Sequence, residues 1–359
     1  EISCSLVGSE MCIRDSYNTK TKDVIWNKAL PVINGAFSPD GGPKANYTTN
    51  LNMCETSNKG FELALNTRNI ITKNFTWSSS VTFNHNKEKI TKLSGGDSDV
   101  LNNGDTGYAL ALGEAINSYY HYKLDGVWQK GEETDAAVFG AAPGDLKINI
   151  PNLVKESDGR FYKIDEETGS AAVDENGNVI YYTSDNKYTP SDADYQILGH
   201  NSPDWSLGFQ NNFTWKDFDL SVFVYARYGQ MFAYDMLTSY DPKGIRNFPT
   251  YFNYWTENNP SNDFPAANAN KGLEQYTGYY ALRYVDGSFI KIKNITLGYS
   301  LPKSILKSAG IEKCRFYATI TNPFVFAKSH LLKDYDPEMN GSLKYPLTKQ
   351  FVFGVNVTF

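Results

Sequence analysis

The feature that most restricts this chain is a two-residue hydrophobic period that returns along its length while no long apolar run ever forms. In "QFVFGVNVTF" Phe351, Phe353, Val355, Val357 and Phe359 take alternate positions, with Asn356 and Thr358 between them. Side chains alternate faces along a strand, so this segment carries one continuous apolar face that includes Phe359. "GFELALNTRNI" sets Phe61, Leu63 and Leu65 against Glu62, Asn66 and Arg68. "NFTWSSSVTFNHN" opposes Phe75, Trp77, Val81 and Phe83 to Asn74, Thr76, Ser78, Ser80, Thr82 and Asn84. "WSLGFQNNFTW" does the same with Trp205, Leu207, Phe209, Phe213 and Trp215 against Ser206, Gly208, Gln210, Asn212 and Thr214. Small hydroxyls and amides fill the second face.

That last segment turns at "KD" into "FDLSVFVYARYG", and "CRFYATITNPFVF" puts Phe316, Ala318, Ile320, Phe324 and Phe326 in phase. "SFIKIKNITLGYSLP" changes phase between Ile292 and Ile295, which predicts a bulge near Asn294. With segments near 17–27 and 116–128, about nine strands are expected, and "PKSILKSAG" reads as one short helix. Mean hydropathy is -0.46, and no run of about 18 apolar residues is present, which excludes helical membrane spans. Membrane strands are not excluded, because alternating segments of about 10 residues average to a polar hydropathy. The intervals 130–203 and 231–286 are long and rich in Gly, Pro, Asn and Asp, whereas the "KD" turn is tight. Short turns on one side and long loops on the other fit a transmembrane barrel, and Trp77, Trp205, Trp215, Phe324, Phe326 and Phe359 lie where an interfacial girdle belongs. A soluble sandwich or barrel gives the same period, since one sheet face then packs on a core.

The net charge of -6 and the absence of a Lys/Arg cluster argue against a nucleic-acid partner. Cys4, Cys12, Cys54 and Cys314 have neither metal-site spacing nor the density of a disulfide framework. His85, His121, His200 and His330 are scattered outside any hydrolase or zinc-protease motif, and "GGDSDVLNNG" is not a phosphate cradle. No catalytic residue, metal ligand or cofactor is assigned. Residues 1–16, "EISCSLVGSEMCIRDS", have no secretory-signal pattern and differ in texture from the rest, so they are set aside as non-native or sequencing-derived, leaving 17–359 as the folded part. The 231–286 interval carries Phe232, Tyr234, Tyr240, Phe248, Phe252 and Tyr276 among its aromatics. From this interval Tyr251, Tyr254, Trp255, Tyr279 and Tyr280 are the candidate substrate-binding rings. Aromatic faces beside amides suit a sugar or peptide, although the same rings can pack the loop on itself or meet a partner protein.

Several stretches, "NKGFELAL", "FDLSVFVYARYG", "YWTENNP", "SFIKIKNITLGYSLPKSIL", "TNPFVF", "YDPEM" and the terminal "QFVFGVNVTF", are similar in content and order to the C-terminal barrel half of SusC/RagA-type TonB-dependent outer-membrane transporters. The resemblance implies an all-β, antiparallel transmembrane β-barrel of about 22 strands with long extracellular loops, of which this chain would hold fewer than half. It implies the outer membrane of a Gram-negative bacterium, import of oligosaccharide or peptide nutrients, and no enzymatic activity. It also implies a SusD-like surface lipoprotein, and contact with the TonB complex through a plug region upstream. The terminal residues Phe351, Phe353, Val355, Val357 and Phe359 would then be an assembly signal. The chain departs from the family after "PGD", where an insertion carries Asp174, Asn176 and Asn178 but lacks the Gly and Glu of a calcium loop, so a solvated acidic loop is expected. The rival reading is a soluble or secreted all-β carbohydrate-binding or hydrolytic protein.

Overall fold

Alternation of this kind builds sheet, and in a computed structural model of the chain most of it joins one nine-stranded sheet. The structure describes residues 2–4, 11–29, 48–93, 100–102, 108–239, 243, 249–307 and 310–359. The strands are β1 (Ile2–Cys4), β2 (Met11–Ala29), β3 (Thr48–Ile71), β4 (Phe75–Leu93), β5 (Trp205–Trp215), β6 (Phe218–Tyr228), β7 (Phe289–Ser300), β8 (Lys313–Ala327) and β9 (Gln350–Thr358). Their order across the sheet is their order in the chain, and each neighbour is antiparallel. This is an up-and-down meander. β1 and β9 each have one neighbour, so the sheet is not closed within this chain.

The register fixes which connections share an end. Trp215 pairs with Phe75 and with Phe218, and Phe218 pairs with Tyr299. The turns at 72–74, 216–217 and 301–312 therefore lie together, and the backbone N–H of Lys216 donates to the carbonyl of Asn74 at 2.9 Å. The connections 94–204, 229–288 and 328–349 all leave from the opposite end. β5 and β6 have 11 residues each, whereas β2, β3 and β4 have 19, 24 and 19. β2–β4 therefore extend well beyond β5 and β6 on the long-loop side.

The bulge expected near Asn294 is present: the register of β7 shifts between Ile292 and Asn294 against β8, and between Phe223 and Val224 on β6. The short helix is Lys303–Leu306 with Pro302 at its N-cap, and Ser308 and Ala309 lie outside the described residues. The segment 116–128 is not a wall strand. It divides into Ser118–His121 and Lys123–Val127, which belong to separate small sheets in the loop layer. The reason is burial on both faces: Tyr119, Tyr122, Val127 and Trp128 are all buried, at spacings that no half-buried wall strand gives. The long connections carry further local structure, including the helix Glu133–Val138.

β2 begins earlier than residue 17. Its residues Cys12, Arg14 and Ser16 pair with Leu65, Leu63 and Phe61 and so share the apolar face of β3, while Ile13 and Asp15 share the face of Ala64 and Glu62. Ile13, Arg14 and Ser16 thus sit on the face of opposite polarity to their own, while Cys12 and Asp15 match their neighbours. The main apolar cluster lies in the loop layer instead of the wall, around Phe232, Leu237, Phe252, Trp255, Phe264 and Leu332.

Candidate functional site

The wall has two faces of different chemistry, set by the two-residue period and held in register across strands. One face carries rows such as Leu65, Val81, Phe209 and Val224, then Leu63, Phe83, Leu207 and Ala226. Rings bound these rows at both ends. Trp205 stacks on Tyr228 and on Phe83 at 5.5 and 6.1 Å at one end. At the other, Trp215 stacks on Phe218, which packs on Tyr299 at 4.6 Å. Trp205 and Trp215 are the first and last of the 11 residues of β5. At about 3.4 Å per residue and a tilt of about 40°, that spacing lifts to about 26 Å, the height of the apolar band of an outer-membrane barrel. Ile290, Leu297, Phe324 and Phe326 on this face are more than half exposed. The terminal residues Phe351, Phe353, Val355, Val357 and Phe359 are exposed as well, with Val355 paired to Phe316 and Phe353 to Ala318.

The opposite face is mostly polar, interrupted by residues such as Ile13, Phe223 and Val352. One row reads Arg68, Ser78, Asn212, Ser221, Thr296 and Thr319. Gln210 donates to Ser221 at 2.7 Å, and Asn84 donates to Glu62 at 2.8 Å. Arg315 Nε donates to Asp219 at 2.8 Å across Gly298, where an added Cβ would lie 2.4 Å from the carboxylate. Glycine is what lets this ion pair cross the strand. Such a face is wetted or lines a polar lumen, because a hydrocarbon medium leaves its hydroxyls and amides unpaid.

Where the wall meets the loop layer, Lys291 is fully buried and its ammonium donates to Asp336 and, at 2.8 Å, to Glu338. Lys293, displaced by the bulge, donates to Glu338 at 2.6 Å. Burial pushes the Glu338 carboxyl up, but the two lysine hydrogen bonds outweigh it and hold it below the usual carboxylate range. Asp336 also accepts the backbone N–H of Glu338, closing the turn Pro337–Met339. "YDPEM" is thereby clamped to the inner side of β7. In the sequence "FIKIK" and "YDPEM" lie far apart, and the signal that could link them is two lysines inside an otherwise apolar strand.

The candidate rings separate by burial. Trp255 and Tyr279 are buried members of the loop-layer core, with Trp255 Nε1 donating to Gln129 at 2.9 Å. Tyr251 packs against that core, whereas Tyr254 and Tyr280 are exposed. Phe252 and Phe264 stack at 4.2 Å in its centre. Tyr240 and Phe248 lie outside the described residues. Asp174 accepts the backbone N–H groups of Asn176 and Asn178, so its carboxylate closes its own turn. Among the histidines, His85 and His200 both approach Asp204, His330 pairs with Asp263 at 2.9 Å, and His121 stacks on Tyr195 at 4.9 Å. Burial and then the neighbouring Arg283 push His121 down to about 4, leaving it neutral at pH 7.

No protein-family model matches the chain. Curated relatives do: it is 28% identical over 367 residues to TonB-dependent receptor P3 of Formosa agariphila, covering 96% of this chain and 32% of the relative. It is 26% identical over 355 residues to TonB-dependent receptor SusC of Bacteroides thetaiotaomicron, covering 96% and 30%. The solved structure of the RagAB peptide transporter superposes with a TM-score of 0.68 at 23% identity, over 98% of this chain and 33% of that one. The chain is thus similar to TonB-dependent receptors, SusC among them, and shares the fold of the RagAB transporter. It spans about a third of the length of these relatives. Within the SusC/RagA-type fold, the nine strands are a run of barrel wall, and the connections 94–204, 229–288 and 328–349 are its long loops.

Proposed function

We propose that residues 17–359 form the C-terminal barrel wall and extracellular loop layer of a receptor that imports oligosaccharide or peptide oligomers across the outer membrane of a Gram-negative bacterium. The observation that carries this reading is the pair of wall faces: a girdle-bounded apolar band turned outward and a hydroxyl- and amide-rich face turned to a lumen. Lipid covers the first, and solute passes along the second. A SusD-like surface lipoprotein would close over the loop layer, where Tyr254 and Tyr280 are the exposed members of the candidate ring set. TonB would act on a plug region supplied by another part of the receptor, and the chemistry is transport with no covalent step.

The assembly role of Phe351, Phe353, Val355, Val357 and Phe359 is part of the same proposal. So is the foreign origin of residues 1–16, supported by the reversed polarity of Ile13, Arg14 and Ser16 in β2. Reading the source DNA upstream of the Tyr17 codon tests that origin. Import itself is tested by following uptake of labelled oligomers in cells carrying the full-length receptor, with and without TonB. Uptake should vanish without TonB, and equal uptake in both strains would remove the import reading.

A further inference from the structure

Near its short-turn end the outward face of the wall is not evenly filled. Across β7, β8 and β9 one row reads Tyr299, Phe316 and Val355, and the next reads Leu297, Ala318 and Phe353. Ala318 is the one small side chain among them, and it leaves a groove of about 390 Å³ between the larger residues. Of the outward side chains that line this groove only Tyr299 carries a polar atom. The strand backbones beneath it are paired with each other along both ladders, so the floor has no hydrogen bond left to offer. Arg315 and Tyr317 take the alternate positions and belong to the lumen face.

The end of the wall beside this groove is cationic, although the chain as a whole carries a net charge of -6. Its three turns hold Lys73, Lys216, Lys303 and Lys307, and β8 begins at Lys313, against the carboxylates of Asp217 and Glu312. All five lysines are exposed, and Lys216, Lys303 and Lys307 make no ion pair among the described residues. Lys216 Nζ lies over the Trp215 ring at 5.4 Å, and Trp215 stacks on Phe218, which lines the groove. Lys303 and Lys307 flank the exposed Ile305 in the connection from β7 to β8, which is fastened where Leu301 N donates to the Cys314 carbonyl at 2.8 Å. An alkyl group between two ammonium groups suits a membrane boundary, the first turned to hydrocarbon and the others to phosphate. An acyl chain brings no polar group into the groove, whereas a polar solute would lose its water there unreplaced. A second copy of this face, related by an axis along the membrane normal, would set lysines against lysines at the same depth.

We propose that an anionic phospholipid of the periplasmic leaflet occupies this groove, with one acyl chain over Ala318 and its phosphate among Lys216, Lys303 and Lys307; the proposal rests on the reading that lipid covers this face. The test uses the full-length receptor with its lipoprotein, stripped of lipid in detergent and followed by native mass spectrometry during titration with phosphatidylglycerol or phosphatidylcholine. Phosphatidylglycerol should bind as a single tight copy, at least about fivefold more tightly than phosphatidylcholine, the factor that one lysine near an anionic headgroup supplies. Ala318→Phe, which fills the groove with a ring that lipid tolerates, should weaken that copy severalfold while the receptor keeps its heat-resistant gel mobility. Replacing the three lysines together, Lys216→Gln, Lys303→Gln and Lys307→Gln, should erase the preference between the two lipids, and this variant decides the matter if Ala318→Phe does not assemble. Absence of a tight copy, equal affinity for the two lipids, a copy that survives Ala318→Phe, or receptor pairing that Ala318→Phe abolishes would each overturn the site. In any of these outcomes, membrane assembly of the parent and its loss in Val81→Arg would leave the lipid-facing reading standing.

Discussion

The wall and the loop layer are built from the same aromatic-rich composition but bury it in opposite ways. In the wall, Ile290, Leu297, Phe324 and Phe326 stand more than half exposed and their strand backbones satisfy each other. In the loop layer, Phe232, Leu237 and Phe264 are almost completely enclosed. The difference teaches where each region gets its stability. The wall needs an apolar solvent outside and hydrogen bonds along its strands, whereas the loop layer supplies its own interior as a water-soluble domain does.

Substitutions at the junction and within each region should separate the two. The largest effect is expected from Lys291→Ala, which leaves Asp336 largely buried without its cation while Glu338 keeps only Lys293, and should cost about 3–5 kcal/mol. Limited proteolysis should then cut within 328–349 while the wall stays resistant. Phe252→Ala, which opens a gap against Phe264, is expected to cost about 3–5 kcal/mol. Because the damage is confined to the loop layer, hydrogen exchange should rise in 229–288 and stay low in β5 and β6. Val81→Arg puts a cation on the outward face and should cost about 2–4 kcal/mol near the bilayer midplane. Membrane fractionation should show assembly lost for Val81→Arg and kept for Ser80→Arg, on the lumen face. Equal assembly of the two would mean that the Val81 face does not meet lipid, and the reverse order would mean that the faces have been assigned the wrong way.

A pH titration sharpens the same contrast. Burial pushes the Asp194 carboxyl up, but hydrogen bonds from Lys163 and Tyr188 outweigh it and hold it below its ordinary value. A depressed carboxyl contributes stability above its unfolded value of 3.8, and that contribution is lost as pH falls through the lower, folded value. Loop-layer melting should therefore drop at acid pH below about 4, and Asp194→Asn should flatten this part of the profile. The smallest effect is expected at Asn211, the polar residue on the outward face that accepts from Trp77 and Ser79 at 3.0 Å. Asn211→Ala should cost about 1 kcal/mol in urea unfolding from detergent.

Legibility followed the same division. Phe75–Phe83, Trp205–Trp215 and Phe351–Val357 could be placed on faces from their period alone, and the bulge at Lys293 showed as a change of phase. The segment 116–128 could not be placed, because its burial is two-sided and its partners, Gln196–His200 and Leu146–Asn149, are far along the chain. Trp255 and Tyr279 looked like Tyr254 and Tyr280 in sequence, since an aromatic in an irregular loop carries no period to say which way it points.

By itself the sequence determined the wall strands other than β1 and the start of β2, their two faces, and the end at which the short turns gather, since each depends on local alternation and turn length. Tertiary structure alone decided that Lys291 and Lys293 meet Asp336 and Glu338, that Arg315 crosses Gly298 to reach Asp219, and that Ala318 falls between Leu297 and Phe353 to open a groove. Those meetings depend on register across strands and on packing between distant loops, and neither leaves a period in the chain.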